Sequence, residues 1–172
     1  LNEKSNNSFP EVASGPFAPT VLGHLDDPGF PTYDLEKAKS EVAALKKAGK
    51  DTTLDLLTSA GPVAVRQAQL ELQMLEAAGF EVTLEIETEA DLIKRVISGE
   101  YELAAFRNQP GEDPDMDYIW WYGENNPVNF GRFDDPEINR LLDEGRREAD
   151  PDKANSIYQD INRRFAEQVY NV

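Results

Sequence analysis

Asp113, Asp115 and Asp117 alternate in one short stretch, and three carboxylates at that spacing can in principle hold a hard cation such as calcium. The stretch lacks the glycine spacing and the terminal glutamate of an EF-hand, so no metal is assigned to it. His24 is the single histidine and sits in a Pro- and Gly-rich segment without a nearby second ligand, where an ordinary surface role is expected. A serine-histidine-carboxylate triad would have to use His24, and no Gly-x-Ser-x-Gly elbow accompanies it. The sequence has neither a glycine-rich phosphate loop nor a His-Glu-x-x-His pair. It contains no cysteine, which excludes disulfides, thiolate metal sites and cysteine nucleophiles. Carboxylates are plentiful, so counting alone leaves an acid/base pair open. No catalytic residue and no cofactor is assigned.

The tract Tyr118-Ile119-Trp120-Trp121-Tyr122 holds both tryptophans of the chain side by side. Tryptophan is usually buried for its large apolar area, so core packing is the plain reading. Helical neighbours point about 100° apart, so the two rings cannot both face one core squarely. One of them is expected to face a cleft or a partner surface.

The elements that would position these residues are clearest from Thr53 to Phe106. Thr53 to Thr58 reads as a strand, and Ser59-Ala60-Gly61-Pro62 turns it into a helix with Pro62 near the first turn. Val65, Ala68, Leu72 and Leu75 make one apolar stripe, ended by Gly79. Phe80, Val82, Leu84 and Ile86 alternate with polar residues, a period-two strand. Thr88 can cap a short helix carrying Leu92, Ile93, Val96 and Ile97, closed by Gly99. Tyr101 to Phe106 is expected as a third strand. Such alternation predicts an α/β fold with parallel strands and right-handed crossovers. Open α/β sheets bind ligands beyond the carboxyl ends of their strands. Those ends are Ser59-Ala60-Gly61, Glu87-Thr88 and Arg107-Asn108-Gln109.

The 172 residues suit a globular protein with 40% hydrophobic and 29% charged residues. A net charge of -16 opposes contact with phosphate backbones, so no nucleic-acid role is expected. No apolar run reaches bilayer-spanning length and no signal-peptide pattern is present. The first residue is Leu1, and an excised piece of a longer protein is expected. Residues 1–32 read as an extended lead-in or packed loop, broken by Pro10, Pro16, Pro19, Pro28 and Pro31. Residues 33–172 are assigned to the α/β lobe. Within it, Asp34 caps a helix with Leu35, Ala38, Val42 and Leu45 on one face. Asp135-Pro136 and Asp150-Pro151 each begin a further helix.

These landmarks, in this order, resemble the carboxyl-terminal lobe of the extracellular solute-binding proteins of family 5, the oligopeptide and dipeptide type that serves ABC importers. Gly15-Pro16-Phe17-Ala18-Pro19 looks like the family's lead-in. Tyr33-Asp34, Lys37-Ala38-Lys39 and Ala48-Gly49 look like its first helix. Ala78-Gly79-Phe80-Glu81-Val82, Gly99-Glu100-Tyr101-Glu102, Asp113-Pro114-Asp115, Asn129-Phe130-Gly131-Arg132-Phe133 and Asp135-Pro136-Glu137-Ile138-Asn139 continue the series over about residues 15–170.

The resemblance implies a periplasmic-binding-protein-like (type II) lobe with a mixed, mainly parallel sheet flanked by helices. It implies one half of a clamp that closes on ligand by a hinge motion, the first lobe being absent and the chain returning to it after a segment like Ala166-Glu167-Gln168-Val169. The implied partners are a small solute (peptide, sugar or metal complex), an ABC permease in the membrane and the missing first lobe. A monomer is expected, outside the cytoplasmic membrane, in the periplasm or lipid-anchored. Arg107, Asn108 and Gln109 match the family's cleft-lining stretch, and Trp120, Trp121 and Asn129 are the next ligand-binding candidates. For Asn129 the competing reading is a turn amide. Peptide-binding relatives often carry an aspartate where this chain has Pro110; that carboxylate anchor is missing here unless Glu112 or Asp113 substitutes, which leaves sugars, other oligomers or metal complexes open as ligands. Two rivals remain: a ligand-sensing lobe of a signalling protein, and a carboxylate-dependent hydrolase.

Overall fold

Short polar residues ahead of the apolar stripe decide where four of the described helices begin. The computed structural model describes residues 13–106 and 112–170. Asp34 accepts the Lys37 amide at 2.9 Å and starts α1, Leu35–Lys47. Strand β1, Thr53–Ser59, leads through Gly61 into α2, Pro62–Ala78, which has proline in its first turn. Gly79, at φ 110°, takes the left-handed turn that stops α2. Strand β2, Glu81–Glu87, follows. Thr88 caps α3, Glu89–Ser98, by accepting the Asp91 amide at 3.2 Å. Strand β3 is Leu103–Ala104.

The strands lie in the order β2-β1-β3, and both pairings are parallel. Leu56 pairs with Leu84 on one side and Leu103 on the other. The central strand is the buried one: Leu56, Leu57 and Thr58 are each 3% exposed or less. Val42, Ala68, Leu92 and Val96 are buried in the same unit, from α1, α2 and α3. The expected α/β class with helices flanking a parallel sheet is the observed one, and every strand pair among the described residues is parallel.

Two expectations change at the sheet's edges. The third strand is two residues long, not the six from Tyr101 to Phe106, because its ladder with β1 consists of Leu103 opposite Leu56 and Ala104 opposite Leu57; Ala105 adds one bond to the Leu57 carbonyl at 2.8 Å. Ile86, expected on the inner face of β2, is 50% exposed. It stands on an edge strand, paired with Thr58 of β1 on one side only.

The described residues separate into two compact units: 32–106, and 13–31 together with 112–170. The second unit contains a 3-10 turn, Pro114–Asp117, then α4, Tyr118–Trp121, α5, Pro136–Arg147, and α6, Pro151–Gln168. Asp135 and Asp150 cap α5 and α6 as expected, and Asp113-Pro114 repeats the device. Phe17, Trp121, Phe133, Ile138, Leu142 and Phe165 are among the residues of its core. Gly145 on α5 gives room to Tyr158 on α6, whose ring carbon lies 2.8 Å from where a Cβ would stand. No helix among the described residues is long and apolar enough to cross a membrane.

Candidate functional site

Parallel strands bring their carboxyl ends to one edge of the sheet, and two of the three expected ligand-facing turns are described there. At the first, Ala60 donates to the Glu87 carbonyl at 2.8 Å, so the turn after β1 is tied to the end of β2. At the second, Arg95 pairs with Glu85 at 2.5 Å and Glu87 at 3.2 Å. Hydrogen bonding to Glu85 raises the guanidinium's pKa further. The third turn, with Arg107, Asn108, Gln109 and Pro110, lies outside the described residues.

The stretch from Glu112 to Asp135 is knitted by short side chains. Asn126 donates to the carbonyls of Ile119 (2.7 Å) and Tyr122 (2.9 Å), taking up carbonyls at the end of α4. Asn129 donates to Phe133 at 2.7 Å and Tyr122 at 3.5 Å, and its residue is only 3% exposed. Asn139 accepts the Gly123 amide at 2.8 Å and donates to Asp134 at 3.1 Å. Tyr118 and Tyr122 stack at 4.8 Å, and the Tyr118 hydroxyl donates to Asp143. Burial first, and that bond second, push the Tyr118 pKa up to about 12.

The three alternating aspartates take separate tasks. Asp113 caps the 3-10 turn, accepting the Asp115 amide at 3.0 Å. Asp115 receives Arg146 in a two-pronged bond at 2.7 and 3.2 Å, and Arg146 lies 3.7 Å over the Tyr118 ring. Asp117 is buried at 6% exposure, and desolvation raises its pKa to about 6. No group of three metal-ligating side chains converges among the described residues. His24 is held by Phe17 and Asp26, at 2.9 and 3.3 Å.

The two tryptophans divide as neighbouring helical residues must. Trp121 is 6% exposed and packs on Phe17 (5.5 Å) and Phe165 (4.8 Å). Trp120 is partly exposed and leans on Phe130 at 5.7 Å. Of the six expected ligand-binding residues, three fall outside the described residues. Trp121 is buried in aromatic packing and Asn129 in the hydrogen bonds of the loop. Trp120 retains an open face. An open cleft of about 410 Å³ also lies between Tyr122, Glu124, Asp134, Asn139, Arg140 and Asp143. None of these six is a site candidate in the sequence, since only their folded contacts unite them.

The family model for bacterial extracellular solute-binding proteins, family 5 (middle), matches residues 2–130, well over half of the chain. The chain belongs to the family 5 solute-binding proteins. Di/tripeptide-binding protein 2 of Pseudomonas aeruginosa (strain UCBPP-PA14) is 30% identical over 91% of this chain and 31% of its own length. Among solved structures, HbpA2 from Haemophilus parasuis superposes with a TM-score of 0.80 at 25% identity, covering 93% of this chain and 33% of that one. AgaA from A. tumefaciens R10, solved with agropinic acid, superposes at 0.76 with 26% identity, over 90% of this chain and 32% of that one. This family 5 chain thus spans about a third of the length of the curated relatives it matches. The resemblance read from its scattered landmarks and the matching family are the same.

Proposed function

We propose that the chain is one lobe of the substrate-binding component of an ABC importer, which captures a small solute between two lobes and delivers it to a membrane permease. One observation carries the reading. In a family 5 chain, the β-α-β-α-β order sets three strand ends at one sheet edge, where open α/β sheets take ligands. Closure follows from contacts made only in the closed state, so the ligand shifts a population between open and closed clamps.

The solute is a short peptide or another small polar molecule. A relative named for di- and tripeptides and another solved with agropinic acid support that range. Arg107, Asn108, Gln109 and Trp120 are the proposed contacts from this lobe. The receptor works outside the cytoplasmic membrane, in the periplasm or lipid-anchored, as a monomer and without catalysis. The ties of Asp113 to a helix cap and of Asp115 to Arg146 speak against a hydrolase built on those two acids.

The test is isothermal titration of di- and tripeptides, and of agropinic acid, into this chain and into a receptor of the relatives' full length. Saturable binding by the full-length receptor and much weaker binding by this chain are expected. Equal affinities would refute capture between two lobes.

A further inference from the structure

The loop from Tyr122 to Asp134 begins two residues after Trp120, and it is braced from a residue far along the chain. Its two ends are drawn together: a Cβ on Gly123 would stand 2.6 Å from the Asp134 Cα, and Asn129 ties the Tyr122 and Phe133 carbonyls. Behind Phe133 lies Tyr170, its ring stacked at 4.2 Å and 13°. Val169 makes this possible by taking a left-handed conformation, φ 54°, at the end of α6. The turn sends Tyr170 back toward the start of α5. There its hydroxyl donates to Asp135 at 2.7 Å, on the carboxylate oxygen that also receives Arg164 at 2.7 Å. The other oxygen of Asp135 caps α5 through the Glu137 amide at 2.8 Å. A non-glycine residue in the left-handed region costs free energy, and here the stack and the charged hydrogen bond offset it.

We infer that Tyr170 is a positioning residue for the 122–134 loop, holding from behind the segment that fixes Trp120 and its neighbour Phe130. The inference rests on the receptor reading only for the loop's purpose. Its test involves no ligand, so failure of one is distinguishable from failure of the other.

The experiment is amide hydrogen exchange on this chain, with tryptophan emission recorded alongside. Tyr170→Ala is expected to speed exchange at Asn126, Asn129 and Arg132 by about tenfold or more, while the α6 amides of Tyr158 and Ile161 keep their rates. Tryptophan emission shifts to the red as Trp120 loosens from Phe130. Tyr170→Phe, which keeps the ring stack, restores most of the protection. Should Tyr170→Ala fail to fold, Tyr170→Leu fills the space without a ring or hydroxyl and must give the same confined pattern. Unchanged loop exchange, an equal rise throughout residues 13–31, α5 and α6, or no restoration by phenylalanine would each overturn the assignment.

Discussion

Asn162 donates its side-chain amide to the Gly23 carbonyl at 3.0 Å, a buried bond between residues 139 positions apart. One face of α6 therefore grips the Pro- and Gly-rich segment, because Asn155 also accepts the Gly23 N–H at 2.9 Å. Gly23 sits at φ 85°, and a Cβ there would lie 2.6 Å from Tyr158 and 2.8 Å from Phe17. Gly23→Ala combines left-handed strain with overpacking and should lower unfolding free energy by about 3 kcal/mol. Urea denaturation checks this; an unchanged midpoint would mean that the segment is not held as described.

The tryptophans should respond unequally to truncation. Trp121→Ala leaves a hole between Phe17 and Phe165 and is expected to cost about 3–5 kcal/mol. Trp120→Ala, with one face already open, should cost less than about 2 kcal/mol. Equal losses in thermal or urea unfolding would contradict the division of roles.

The aspartates before Pro136 and Pro151 are chemically alike and energetically different. Asp150→Ala removes two amide bonds on an exposed helix start, at a cost of about 1 kcal/mol. Asp135→Ala also takes one of two carboxylate partners from Arg164, which keeps Glu167, and leaves the Tyr170 hydroxyl without its acceptor, so about 2 kcal/mol or more is expected. Burial pushes the Asp135 pKa up, but bonds from Tyr170, Arg164 and the Glu137 amide outweigh it and hold the pKa low. Its contribution is therefore present above the unfolded value near ~4 and disappears as pH falls through the lower native value. Acid titration of the two variants, followed by circular dichroism, separates them.

Asp117 gives the opposite pH response. A carboxyl whose pKa rises to about 6 on folding binds its proton more tightly in the native state. It stabilises fully below the unfolded value near ~4, and that contribution is lost as pH climbs through about 6. Two pKa units correspond to about 2–3 kcal/mol. Asp117→Asn should flatten the stability profile between about pH 4 and pH 8 and exceed the parent chain at the upper end. Parallel profiles for the two proteins would remove Asp117 as the cause.

What the sequence disclosed and what it withheld follow from how local each cause is. Helices α1 and α3 were legible because a cap, an apolar stripe and a stop signal lie within one short segment, as with Thr88, Leu92 and Gly99; α2 announced itself by Pro62, its stripe and Gly79, and α5 and α6 by an Asp-Pro start and a stripe. The extent of β3 was not, since a strand lasts only as long as its ladder, and just Leu56 and Leu57 of β1, far away in sequence, pair with it. The site was less legible still. The inequality of Trp120 and Trp121 follows from helical geometry, but which of them turns inward depends on Phe17 and Phe165. Nothing near Tyr170 in the sequence signals its bond to Asp135, 35 positions away.

The interleaving of the two units bears on how the polypeptide acquires its shape during synthesis. Residues 32–106 are continuous and can assemble soon after they leave the ribosome, whereas residues 13–31 need Asn155 and Asn162, made more than a hundred residues later. The earliest part of that second unit must therefore wait, unpaired, while its neighbour matures. Until α4 and α6 are made, Phe17 has no Trp121 or Tyr158 ring to pack against, and a chaperone that shields apolar side chains has reason to hold it.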